Sequence, residues 1–248
     1  MRKYELFPNP PITESVLEIL VKLPNTINIE TFKKSHKDLL SERFPESLEL
    51  REFSAGVKIS KEPSLLPPKN TAIGYHFKST PNNKLVQFRL NGFAFNKLKP
   101  YHNWRSFSSE AKELWVLYRK IAKPMKITRI SLRYINRIEV PFPFRDFNEY
   151  ILTNPQIAPK LPQSVSSFFM RLEVPNDDIP AIAIIIQTME KPTKDKKLPL
   201  ILDIDVIREF EYNKKNISKI WKDFEELHDF KNDIFFNSIT DKTKELFR

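Results

Sequence analysis

The sequence contains no cysteine, and only three glycines, Gly56, Gly74 and Gly92, in 248 residues. Without thiols there is no disulfide framework, zinc ribbon, iron–sulfur cluster or thiol nucleophile. The glycines are scattered. Walker loops, dinucleotide fingerprints and nucleophile elbows need them clustered, because the backbone must turn sharply or approach a phosphate closely, so all three are excluded. Long apolar runs are also missing: the longest, Ala181 to Ile186, falls far short of the roughly 20 residues a membrane span needs. The first residues, MRKYELFPNPPITE, hold no apolar signal core and carry an early acid. The expectation is a soluble, cytoplasmic protein without a membrane partner.

Histidine is sparse. His36, His76, His102 and His228 stand in separate contexts with no paired metal-ligand spacing. His228 reads as the end of a helix, where a cation suits the dipole. His102, in PYHNW, reads as a packing residue of a loop. The order of residues supports no Ser–His–Asp arrangement.

Positive charge, by contrast, is plentiful and uneven. The net charge is +10. Residues 1–150 hold 26 basic and 15 acidic side chains, a net of +11, whereas residues 151–248 net −1. From Lys69 to Arg137 there are 15 Lys and Arg, opposed only by Glu110 and Glu113. Such density attracts polyanions and releases counterions on binding. Tyr75, Phe77, Phe88, Phe93, Phe95, Tyr101 and Trp104 interleave with these charges, and single-stranded bases stack on such rings. An antiparallel sheet, solvated outside and apolar inside, produces the same alternation without any ligand.

Hydrophobic periodicity predicts strands at 12–23, two short ones near 48–60, then 72–79, 84–98, 125–141, 166–174, 181–189 and 198–210. Pro81-Asn82-Asn83 is hairpin chemistry, and the proline-rich 61–70 reads as a loop. Helices are expected at 29–43, at 107–122 capped by Ser108 or Ser109, at 216–230, and at 240–247 capped by Thr240. Strands joined by hairpins, with helices set apart, predict an α+β fold: mostly antiparallel sheet with helices packed on one face. Five prolines within 141–163 suggest a basic α+β region at 1–140, a proline-rich crossover at 141–163 and a second α+β region at 164–248, or one continuous domain.

Three constellations could carry chemistry. Glu14 and Glu18 would lie on one strand face about 13 Å apart, too far for a retaining glycosidase pair; on a helix they could share a metal. Asp203 and Asp205, in LILDIDVI, project from one side of a strand and could hold Mg²⁺, although a bridge to Arg133 or Arg137 competes. Arg129, Arg133 and Arg137 stand at i, i+4 and i+8. With Arg89 and Arg171 from neighbouring strands they would line a sheet face with forks suited to phosphate or carboxylate. Pairing within the fold, to Glu14, Glu18, Glu173 and the two aspartates, is the competing outcome.

Five segments, NPPITESVLEI (9–19), LNGFAFNKLKPYHNW (90–104), ITRISLRYINRIEVP (127–141), LILDIDV (200–206) and LHDFKNDIFFNSIT (227–240), occur in an order that resembles a sporadically distributed prokaryotic family of roughly 250-residue proteins with no assigned activity. The resemblance implies a bacterial or archaeal cytosolic protein with mobile-element or defence neighbours. It supplies no catalytic residues. Family members often have Ala where this chain has Ser15.

The leading functional expectation is a non-catalytic binding protein. Its basic 69–137 region engages nucleic acid, another phosphate-rich ligand or an acidic protein partner. Arg89, Arg129, Arg133 and Arg137 would supply charge, and Phe95, Tyr101 and Trp104 stacking. One alternative is a metal-dependent phosphate-handling enzyme in which Asp203, Asp205 and Glu18 hold Mg²⁺; the E-x-E-x-K strand of triphosphate tunnel folds is absent. Another is a defence-associated or immunity-type protein that uses PYHNW and FFNSIT as an interface.

Overall fold

Period-two alternation becomes strand in nine segments of the described chain. A computed structural model describes residues 4–58, 64–212 and 217–248. In chain order it contains β1 (Ile12–Lys22), α1 (Ile29–Leu39), β2 (Glu46–Lys58), β3 (Ser64–Lys78), β4 (Lys84–Arg89), β5 (Gly92–Leu98), α2 (Trp104–Ala122), β6 (Lys126–Pro141), β7 (Phe169–Pro175), β8 (Ile182–Met189), β9 (Lys197–Tyr212), α3 (Ile220–Ser238) and α4 (Asp241–Glu245). The strands form one antiparallel sheet in the order β2-β3-β4-β5-β1-β6-β9-β8-β7. The sheet passes through the chain on both sides of 141–163, because β6 and β9 are direct neighbours. The protein is α+β. None of its described helices is long and apolar enough to cross a membrane.

Register sorts the side chains. Leu17 stands opposite Phe95 and Leu132, and Leu132 opposite Val206. All four are essentially buried, so one face of the sheet is a continuous apolar layer. The three longer helices cover that face. Phe32 of α1 and Tyr118 of α2 pack on Phe88, Trp115 of α2 on Phe93, and Phe107 of α2 on Phe95 and Tyr134. From α3, Asp223 and Glu226 pair with the buried Arg208 of β9. Residues one step out of phase, such as Val16, Glu18, Arg133, Asp205 and Ile184, lie on the opposite face and are half-buried.

Several expected boundaries move, each for a physical reason. The run 84–98 is two strands, with Leu90 and Asn91 as a two-residue connection and Gly92 opposite Arg89. Gly92 lies so close to β1 that a Cβ would stand 2.7 Å from the Ile19 carbonyl oxygen. The pair expected near 48–60 is one strand, β2, with a register shift between Ser54 and Gly56; residues 59–60 lie outside the described residues. Of the loop expected at 61–70, residues 64–70 belong to β3, and 61–63 lie outside the described residues. Pro67 and Pro68 are tolerated because β4 pairs only with Gly74–Lys78, leaving the start of β3 a neighbour on one side alone. Helix α2 starts earlier, at Trp104, because Asn103 rather than Ser108 or Ser109 caps it, its side chain accepting from Ser106 N. Helix α3 runs on to Ser238, so His228 is an interior residue rather than a terminal one. Thr240 caps α4 as expected.

Candidate functional site

The residues singled out from the sequence separate onto two sides of the sheet. Arg133 and Tyr134 are consecutive in β6, so their side chains must take opposite faces. Arg89, Arg129 and Arg133 lie on the face opposite the helices. Tyr101, Trp104 and Phe95 lie among the helices. The combined arginine-and-aromatic site is therefore not assembled.

On that opposite face the guanidinium groups meet acids of the chain itself. Arg89 and Arg129 each donate from Nη2 to one oxygen of Glu18, both at 2.5 Å. Arg133 donates from Nε and Nη2 to the two oxygens of Asp203. Arg137 pairs with Glu139 and, at 3.0 Å, with Glu190, and Arg171 with Glu173 at 2.6 Å. Burial opposes ionisation of Glu18, but Arg89 and Arg129 hold its carboxyl below the usual range. Asp205 stands directly opposite Arg133 yet has a buried Oδ1 without a partner. Burial pushes its pKa up to about 6, helped by Glu18 and Asp203, against the pull of Arg133 and Arg129.

Neither role expected for this face fits the geometry. The arginines are each paired with an acid of the chain, and only part of the Arg133 guanidinium still faces solvent. Glu18 and Asp203, expected with Asp205 to hold Mg²⁺, spend their oxygens on arginine. No group of three or more acids or histidines is placed to hold a metal among the described residues. Phe95 is 0% exposed and stacks on Phe107, so it is core and cannot receive a base.

Tyr101 and Trp104, on the other side, reach a cavity of about 620 Å³. Its walls come from the extended N-terminal segment, the loop before α2, Asn136 of β6 and one face of α3. The N-terminal segment lies across α3 as a strap. The Tyr4 hydroxyl donates to the Asp229 carbonyl and to Asp233, Tyr4 and Phe7 stack on Phe236, and Asn9 N donates to the Phe247 carbonyl. Pro10 and Pro11 keep the segment extended as it enters β1.

The cavity wall carries an unusual polar group. Lys231 is 6% exposed, donates to Asn232 Oδ1 at 2.5 Å and places Nζ 3.9 Å from the centroid of the Tyr134 ring. No acid lies within ion-pair distance of it among the described residues, and burial pushes its pKa down to about 7. His228, one turn earlier, stacks on Trp104 at 4.5 Å. Burial, with Lys231 adding repulsion, pushes its pKa down to about 3, so the ring is neutral. Trp104 is anchored by its Nε1, which donates to Glu225 at 2.7 Å, and the Tyr101 and Tyr134 hydroxyls meet at 2.9 Å.

Sequence reasoning missed Lys231, Asn232 and Asn136. A signal was present: Ile220, Phe224, Leu227 and Lys231 follow one helical stripe, so a lysine falls where an apolar residue is due. Four of the five segments behind the resemblance, those containing Pro10 and Pro11, Tyr101–Trp104, Asn136, and His228–Asn232, meet at this cavity. No known protein family and no curated protein matches the sequence of the chain.

Proposed function

We propose that the protein is a non-catalytic binding protein whose ligand is a small, largely apolar molecule seated in the cavity between the N-terminal strap, the loop before α2, and α3. One observation carries this reading: a lysine buried without an acid partner lines a mainly apolar cavity of ligand-binding size. Cores seldom bury lysine unpaired, whereas binding sites place a few polar groups in apolar walls to orient what they hold. Trp104, stacked in the wall, is a natural reporter. Titration with 4-phenylbutanol or 1-decanol is expected to give a saturable change in tryptophan fluorescence that Trp104→Phe removes. No change, together with an unaltered melting temperature, would reject the reading.

A second reading keeps the polyanion expectation but relocates it. The exposed face of α2 carries Arg105, Lys112, Arg119 and Lys120, followed by Lys123. None of the five has an ion pair to an acid among the described residues; Lys112 rests over the Trp221 ring instead. This helix, and not the strand arginines, supports contact with nucleic acid or with an acidic protein. Binding to a single-stranded oligonucleotide should then fall steeply with salt and be lost in a double Arg119→Glu, Lys120→Glu variant, while Arg129→Ala binds as well as the parent. Absence of binding at low salt would remove this reading.

A further inference from the structure

The ring and amide beside Lys231 determine each other's hydrogens. In its ammonium form Lys231 can only donate, so there the Asn232 oxygen faces it and the Asn232 NH₂ faces His228. His228 Nε2, 3.3 Å away, is then the acceptor, and the ring proton sits on Nδ1, which is buried with no partner. As an ammonium, Lys231 has a further N–H beyond those directed to Asn232 and the Tyr134 ring. The hydroxyl pair of Tyr101 and Tyr134 likewise has one proton that their mutual bond does not use. Acceptors are scarce. Glu5, the acid of the wall, is engaged by Arg248 through Oε1 at 2.8 Å, and Asn136 gives its Nδ2 to the Leu202 carbonyl, leaving only its oxygen. The charged form of Lys231 has no counter-charge within ion-pair distance among the described residues.

We infer that the ligand is a carboxylic acid with an apolar body, its carboxylate received by Lys231 and its body lying against Phe7, Trp104, Phe235 and Phe236. This rests on the pocket reading and names its ligand class. A buried amine must either give up its proton or find an anion; here the arriving carboxylate is that anion. Binding therefore draws a proton onto Lys231 when it starts at or above neutral pH. The other titratable groups around it do not substitute. His228 on α3 stays neutral, Tyr134 on β6 and Tyr101 are raised far above neutrality, Tyr4 is tied to Asp233, and Glu5 to Arg248. His102 and Arg105 are solvent-exposed at the edge of the cavity.

The test compares acid and alcohol of the same body, decanoic acid with 1-decanol and 4-phenylbutanoic acid with 4-phenylbutanol, by calorimetry on the full chain near pH 8 in two buffers of different ionisation heat. The expected result is that one acid binds at least about tenfold tighter than its alcohol, with a heat that depends on the buffer. In Lys231→Met the preference disappears while the alcohol still binds. Lys231→Arg, always charged, keeps the preference but loses the buffer dependence, which a merely structural lysine would not produce. Equal affinity for acid and alcohol overturns this inference and leaves the pocket reading intact. Failure of all four probes to bind overturns both.

Discussion

Arg133 grips Asp203 with two parallel hydrogen bonds, Nε to Oδ1 at 2.8 Å and Nη2 to Oδ2 at 2.5 Å. The two partners differ in exposure: the Asp203 side chain is 9% exposed and that of Arg133 43%. Removing the arginine strands a buried carboxylate beside a second one, Asp205. Removing the aspartate frees an arginine that can turn to water or to Asp205. Breaking a fully buried pair costs about 3–5 kcal/mol, and the exposure of Arg133 reduces this through solvent screening. Arg133→Ala is therefore expected to destabilise by about 2 kcal/mol at neutral pH and Asp203→Asn by about 1 kcal/mol, read from urea unfolding. The reverse order would show that the pair is held mainly by the arginine's own packing.

Asp205 gives that same face a pH dependence. Its pKa, raised by burial to about 6 from an ordinary value near 4, means that the folded state holds the proton more tightly than the unfolded chain. Such an acid favours folding while protonated, and the advantage is lost as pH climbs from about 4 through 6. Asp205→Asn, which mimics the protonated form, should leave stability near pH 4 almost unchanged. It should raise stability at pH 8 by on the order of 1–3 kcal/mol. Unfolding curves for both chains at the two pH values decide it; an equal shift at each, or a loss at pH 8, would contradict this electrostatic picture.

The fold was legible from the sequence where a single rule governs a segment. Clean alternation in 126–141 sends Ile130, Leu132, Tyr134 and Ile138 to the core side, and they are all fully buried. It failed where two rules compete: prolines argue for a loop at 64–70, but a strand paired mainly on one side tolerates them. The site was harder to read, because electrostatic pairing is a matter of strand order. Glu18 is 71 positions from Arg89 and 111 from Arg129 along the chain, and only the insertion of β1 between β5 and β6 brings the three together. The cavity joins residues near both termini, so composition showed the charge surplus without showing where an unpaired cation is enclosed.

Scarce glycine has a packing use that substitution can expose. A Cβ on Gly74 would stand 2.2 Å from the Phe88 carbonyl oxygen and 2.7 Å from the Arg89 Cα, both backbone atoms of the neighbouring strand β4. Backbone cannot step aside as a flexible side chain can, so Gly74→Ala must push β3 and β4 apart. Overpacking of this kind costs about 1–3 kcal/mol. The disturbed ladder carries Arg89 at its end, so the Arg89–Glu18 contact should loosen as well. A drop in melting temperature accompanied by faster amide exchange in 74–78 and 85–89 is expected, and exchange unchanged there would mean that the strain is absorbed elsewhere.

Lys231 should weigh on stability in the empty protein, with a sign opposite to that of an ordinary salt-bridged lysine. Burial lowers its pKa to about 7, whereas in the unfolded chain it lies near 10.5. Between those values the unfolded state binds more protons, so the contribution of this group to stability rises with pH from about 7 to about 10 and is least favourable below 7. Lys231→Met removes the buried amine, keeps most of the volume, and forfeits the contacts with Asn232 and the Tyr134 ring. The variant is expected to be more stable than the parent by on the order of 1–3 kcal/mol near pH 6, with the gain shrinking toward pH 9. Denaturation across that range measures both. A variant less stable at every pH would mean that the amine stays charged and well compensated inside the fold, which would also remove the unpaired cation from the cavity wall.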